Sequence, residues 1–249
     1  MNSILLLILL LLMIYIGGKR GAKLFISLCI NFIILMIMFY LIALGINPII
    51  ISLLGCLIIS YIVLYFVNGE NLKTKASIKS IIIILLILTL LIFIITKLTK
   101  IAGFGYESSE EINMFSYDIN LDYTNVTIAL ILIGLIGATI DSSIAISSAL
   151  FEVYENNKHL NSKQLFLSGM SIGKDILGTT TNTLLFAFLG EFMTLLIWYK
   201  CGNYKIEDFI NAKTFCAEFI KILFSGIGCI LVIPITALIT TKDIMKLKK

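Results

Sequence analysis

An acid inside an apolar run long enough to cross a bilayer is the first place to look for chemistry in this chain. Asp141 sits within residues 128–150, which are otherwise uncharged. A charge at the centre of a span costs about 2.5–3.5 kcal/mol on insertion scales. It therefore needs a partner, a water-filled cavity or a proton. At helical spacing, Gly134, Gly137, Ala145, Ser148 and Glu152 share its face, while Ile133, Ile136, Ile140 and Ile144 lie on the other side. The expectation is one small, polar face turned away from lipid. Gly134 and Gly137 would let a second helix approach closely.

A second group opens the next apolar run: Gly173, Lys174, Asp175, Gly178, Thr179, Thr180, Thr181, Asn182 and Thr183. Asp175, Thr179 and Asn182 fall on one helical face with Phe186. Hydroxyls and amides can cross-link helices or line a wet cavity. The simplest arrangement packs this face on that of Asp141, with Gly178 at the contact. Lys174, Asn182 or Thr183 would then neutralise or hydrogen-bond the carboxylates. The chemistry on offer is uptake and release of a proton by Asp141, with Glu152 as a relay and Asp175, Thr179 and Asn182 shaping the path. Ser142, Ser143, Ser147 and Thr180 read individually as packing hydroxyls. An intramembrane hydrolase built on Asp141 and Asp175 is a weaker reading, because Asp175 falls nearer the surface and no G-x-G-D sequence is present. A small-residue face that docks another membrane protein is the third.

The elements that must position these groups are transmembrane helices. The chain is 59% hydrophobic and only 14% charged, with a mean hydropathy of +1.04. Soluble domains carry about 25% charged residues. The long Ile/Leu runs exceed the roughly 9–11 residues of a barrel strand and lack its alternation. The fold class is therefore all-α: a polytopic helical membrane bundle forming a single transmembrane domain over 1–249. About seven spans are expected, near 4–16, 24–44, 49–67, 78–96, 123–150, 176–199 and 222–239. The first is short, but Gly17, Gly18, Lys19 and Arg20 follow it rather than a small-residue cleavage site.

Orientation follows from the lysines and arginines. Placing the N-terminus outside puts 13 of the 19 on inside segments, which predicts N-out, C-in. The stretch from Lys200 to Lys221 holds four of the exceptions. Residues 97–122 are acidic (Glu107, Glu110, Glu111, Asp118, Asp122) and read as a mobile outer cover. Residues 152–173, with Leu165, Met170 and Ile172, read as a short cytoplasmic helix at the membrane surface between spans five and six. His159 is the only histidine, and Cys29, Cys56, Cys201, Cys216 and Cys229 form no C-x-x-C pair. No metal site, cofactor, enzyme activity or nucleic-acid partner is expected. Cys201 and Cys216 flank one polar loop and could form a disulfide.

Several segments resemble the YibE/F-like family of bacterial multi-pass membrane proteins. They are Gly17-Gly-Lys-Arg-Gly21, Gly45-Ile-Asn-Pro48 and Asn68-Gly-Glu-Asn-Leu-Lys-Thr74, and, most specific, the run from Gly137 through Asp141 to Glu152 and that from Ser168 through Asn182 to Thr183. Ile140, Lys174 and Phe188 are mild departures from the family pattern. The resemblance implies an inner (plasma) membrane protein suspected of transport, in which a larger relative or a second copy of the chain is the partner. A looser similarity links spans two to seven to the six-span unit of the RND and SecD/SecF superfamily, whose fourth-helix acid takes part in proton coupling. The large outer domain of that superfamily is missing here, since Gly45–Pro48 forms only a turn. That likeness is one of fold alone.

Overall fold

The computed structural model describes residues 2–99, 101–103, 122–202 and 205–247, and every regular element among them is helical. The elements are α1 (Asn2–Ala43), α2 (Pro48–Tyr61), continued by a π-helical turn over Ile62–Phe66, α3 (Leu72–Thr99), α4 (Tyr123–Asn156), α5 (Ser162–Cys201), α6 (Ile206–Ile210) and α7 (Lys213–Leu247). Six of them are long and apolar enough to cross a membrane. Of the expected cover at 97–122, residues 100 and 104–121, with all its acids but Asp122, lie outside the described residues; Asp122 accepts the Thr124 amide at 2.9 Å and caps α4.

The first two expected spans form one element broken at Gly18, where φ is 54° and ψ is −134°. Only glycine adopts that backbone readily. The break brings Gly21 against the backbone of Met13, an approach with no room for a Cβ. Arg20 ties this bend to the end of the π-helical turn by donating to Asn68 Oδ1 at 3.0 Å. The other turns are built by local capping. Asn47 Oδ1 accepts the Ile49 amide at 3.0 Å, with Pro48 opening α2. Thr74 Oγ1 accepts the Asn71 amide at 3.0 Å and starts α3.

Of the segment 152–173 expected to form a surface helix, residues 152–156 end α4 and residues 162–173 are the first part of α5, which runs unbroken for 40 residues. Asn161 and Gln164 cap its start reciprocally, at 3.1 and 3.0 Å, and no proline interrupts it. Leu165 is fully buried, so this end enters the bundle rather than lying apart from it. At 1.5 Å per residue the helix is about 60 Å long, twice a hydrocarbon core of about 30 Å.

α4 is the centre of the bundle, packing against α2, α3, α5 and α7. Its inward stripe is Ile128, Leu132, Leu135, Ile146 and Leu150, all fully buried. Glycines set the closest approaches. A methyl at Gly169 would lie 2.9 Å from Leu150 Cδ1 and 3.0 Å from Ala237 Cβ, and one at Gly173 would strike Ile233. Farther along, aromatic contacts hold α5 to α6 and α7: Phe188 lies 6.4 Å from Phe219, and Phe192 lies 4.8 Å from Phe215 and 5.1 Å from Phe209. Cys201 and Cys216 are free thiols, so the conceivable disulfide is not formed.

Gly173→Val should therefore destabilise the bundle by about 1–3 kcal/mol through overpacking. Gly178→Ala, where a Cβ meets nothing within 4 Å, should leave the unfolding midpoint unchanged or raised. Thermal unfolding of the two purified variants in detergent checks the contrast.

Candidate functional site

The contacts along α4, α5 and α7 fix which residues share a level. Gly169 of α5 sits against Leu150 of α4 and Ala237 of α7, Gly173 against Ile233, and Gly228 against Thr139. Thus α5 runs antiparallel to the other two. Nine residues from the Gly169 contact along each helix lead to Asp141, Gly178 and Gly228. Asp141 is therefore near the middle of α4, as the apolar run implies, and level with the start of the threonine-rich stretch.

Its direction differs from expectation. Asp141, Gly134 and Gly137 are exposed, and Ala145 and Ser148 are half-buried. The opposite side holds the core, with Ile136 and Ile140 only 5% and 2% exposed. The polar stripe thus faces out of the bundle and the isoleucine side faces in. Among the described residues Asp141 has no hydrogen bond or ion pair, and neither Lys174, Asn182 nor Thr183 reaches it. Nor does any bond link Asp141 to Asp175, the acid pair of the hydrolase reading.

The α5 group is likewise exposed at Lys174, Asp175, Gly178, Thr179, Asn182 and Thr183. Thr179 and Thr183 donate to their own helix, to Ile176 O at 2.9 Å and Thr179 O at 3.0 Å. Of the glycines expected to pack, Gly137 and Gly178 meet nothing within reach of a Cβ. Gly134 lies under the stem of Lys221, whose Cε is 3.3 Å from the point where a Cβ would stand. Gly169, Gly173 and Gly228 make the close approaches instead. Glu152 is exposed at the end of α4.

What the structure buries is a seam of hydroxyls between α3, α4 and α7. Ser77 and Ser147 share a hydrogen bond at 2.8 Å, Ser143 donates to Ser77 O at 3.3 Å, and Ser143 and Thr236 pair at 3.2 Å. All four residues are fully buried. Ser143 and Ser147 are two of the hydroxyls read as packing groups, and here they do pack. Ser77 and Thr236 were missed, although Ser77 lies on the same face as Ser80 and Ile84 at the start of an apolar run. Near the seam's end, Lys79 of α3 pairs with Asp243 of α7 at 2.7 Å.

A family model described as YibE/F-like protein matches residues 5–246, almost the whole chain. The chain belongs to the YibE/F-like family. With its six long apolar helices, this YibE/F-like chain is a multi-pass integral membrane protein. No curated protein and no solved structure matches it, so the likeness to the RND unit remains an analogy.

Within this YibE/F-like bundle the seam should be cooperative. A Ser77→Ala and Ser147→Ala double-mutant cycle should give a coupling of about 0.6 kcal/mol and at most about 1.7 kcal/mol, the range for interhelical hydrogen bonds in membranes. Unfolding in mixed detergent micelles measures it.

Proposed function

We propose that this protein is a subunit of a membrane transport assembly, in which Asp141 takes up and releases a proton at a seam closed by a second transmembrane protein. One observation carries the reading: an acid at mid-helix, with no hydrogen bond or ion pair among the described residues, on an exposed stripe beside Gly137. Bare against acyl chains, an ionised carboxylate is costly. A covering helix could seat on the small residues around Gly137 and leave the carboxyl in a confined, polar space. A larger family relative or a second copy of this chain would supply that helix. The exposed Asp175, Thr179 and Asn182 of α5 would join the path from the neighbouring helix. The bias of lysines and arginines supports N-out, C-in in the plasma membrane, which makes Glu152 the cytoplasmic relay.

The same bare stripe favours one competing reading, a scaffold that docks a partner and moves nothing. The two separate on Asp141. In a cell whose phenotype depends on this chain, Asp141→Asn should insert and assemble normally yet lose function to background, while Asp141→Glu keeps part of it. Full function of Asp141→Asn rejects proton coupling. Gly137→Leu should break assembly under either reading, as seen by loss of co-purifying partner chains.

A cysteine at position 137 should form an intermolecular cross-link in native membranes. One at buried position 143 should not. Absence of any cross-link from the 134, 137 and 145 positions would remove the covering subunit.

A further inference from the structure

The two arms of α1 meet at an elbow. The chain bends at Gly18, and Gly21 of the second arm closes on the backbone of Met13 in the first. A groove of about 270 Å³ is lined from both arms by Leu12, Met13, Ile16, Gly17, Gly21 and Leu24, none of which has a polar side chain. Lys19, Arg20 and Lys23 sit at the bend, all exposed. Three cations within five residues are costly in hydrocarbon, so the bend stands at headgroup level. These cations share one face of the second arm, and Arg20 and Leu24 are i, i+4 neighbours, so the charged face borders the groove.

The turn between the π-helical segment and α3 joins this patch. Arg20 donates to Asn68 Oδ1 at 3.0 Å, across 48 positions of sequence. The one carboxylate of that turn, Glu70, is engaged by Lys75 at 2.9 Å. Lys19, Arg20 and Lys23 have no carboxylate partner among the described residues. The chain leaves for residues 104–121 from the other end of α3, 28 residues or about 42 Å from Leu72. It returns at the start of α4, and the pairing of Ser77 with Ser147 puts that start at the same far end.

A soluble anion would answer the cations and leave the groove empty. A zwitterionic lipid would fill the groove but bring a cation of its own. We propose that the elbow binds an anionic phospholipid, with an acyl chain in the groove and the phosphate held by Lys19, Arg20 and Lys23. Arg20 keeps N–H groups for it beyond the one given to Asn68. The proposal is independent of proton coupling at Asp141.

The test uses the full chain in detergent micelles loaded equally with phosphatidylglycerol and phosphatidylcholine of identical acyl chains. Native mass spectrometry counts the lipids that each protein molecule keeps. Phosphatidylglycerol should be kept in preference. Lys19→Gln and Lys23→Gln should each cut that preference about fivefold, the effect of one cation near a lipid surface. Lys97→Gln, near the far end of α3, should not. Gly17→Leu fills the groove from a point where a Cβ meets nothing within 4 Å. It should lower retention of both lipids and leave the unfolding midpoint in lipid-free micelles unchanged. Asp141→Asn should keep the preference, so the two proposals fail separately. Equal retention of the two lipids, or an unchanged preference when both lysines are replaced, overturns the proposal. So does unchanged retention in Gly17→Leu, or a lipid-free dimer that Gly17→Leu disrupts, which would give the groove to a second copy.

Discussion

The rotation of α4 about its own axis governs everything on its surface, and the hydroxyl seam sets that rotation. Ser143 and Ser147 meet Ser77 and Thr236 in the interior. Buried hydroxyls in a bilayer have no water to turn to, so pairing with each other or with a backbone oxygen stabilises them. Once these serines face inward, residues at other angles follow. Asp141 lies two positions from Ser143, about 200° around the helix. It is thereby turned outward. Its exposure is the geometric consequence of satisfying its neighbours.

Close-approach glycines fix the second degree of freedom, the distances between helices. Gly169 and Gly173 let the start of α5 settle into the groove between α4 and α7. The aromatic cluster around Phe192 and Phe209 then keeps the far half of α5 against α6 and α7. The threonines and Asn182 fall on the remaining surface. A covering subunit would therefore complete a structure whose own core is already closed. This division separates stability from the candidate chemistry: the seam and glycines hold the bundle, while Asp141 and Asn182 make no side-chain hydrogen bond among the described residues.

Much was legible beforehand. The membrane class, the all-helical fold and the start of α4 at Tyr123 follow from hydropathy and length, while α3 begins six residues before, and α4 ends six residues beyond, the expected spans. The turn chemistry at Asn47-Pro48 and Asn71–Thr74 was present in residues that matched the family pattern. The inward face of α4 was not legible. Both of its faces carry small and polar residues, and lipid is as apolar as a helix interface, so hydropathy cannot tell inside from outside. The stripe of Gly134, Gly137 and Asp141 looked like an interior because soluble proteins hide small helix faces and bilayers hide charge. The serines that do lie inside looked ordinary. The surface helix failed for a related reason: its amphipathic pattern fits a groove between helices as well as a membrane surface.

By itself, the sequence determined that this is a helical membrane protein with an acid near the middle of a long apolar helix, because segment length and apolar content are properties of each helix alone. The tertiary structure decided which way that acid points and which glycines touch a neighbour. Those depend on helix rotation and spacing, and rotation and spacing are set by partners distant in the chain, Ser77 with Ser147 and Gly173 with Ile233.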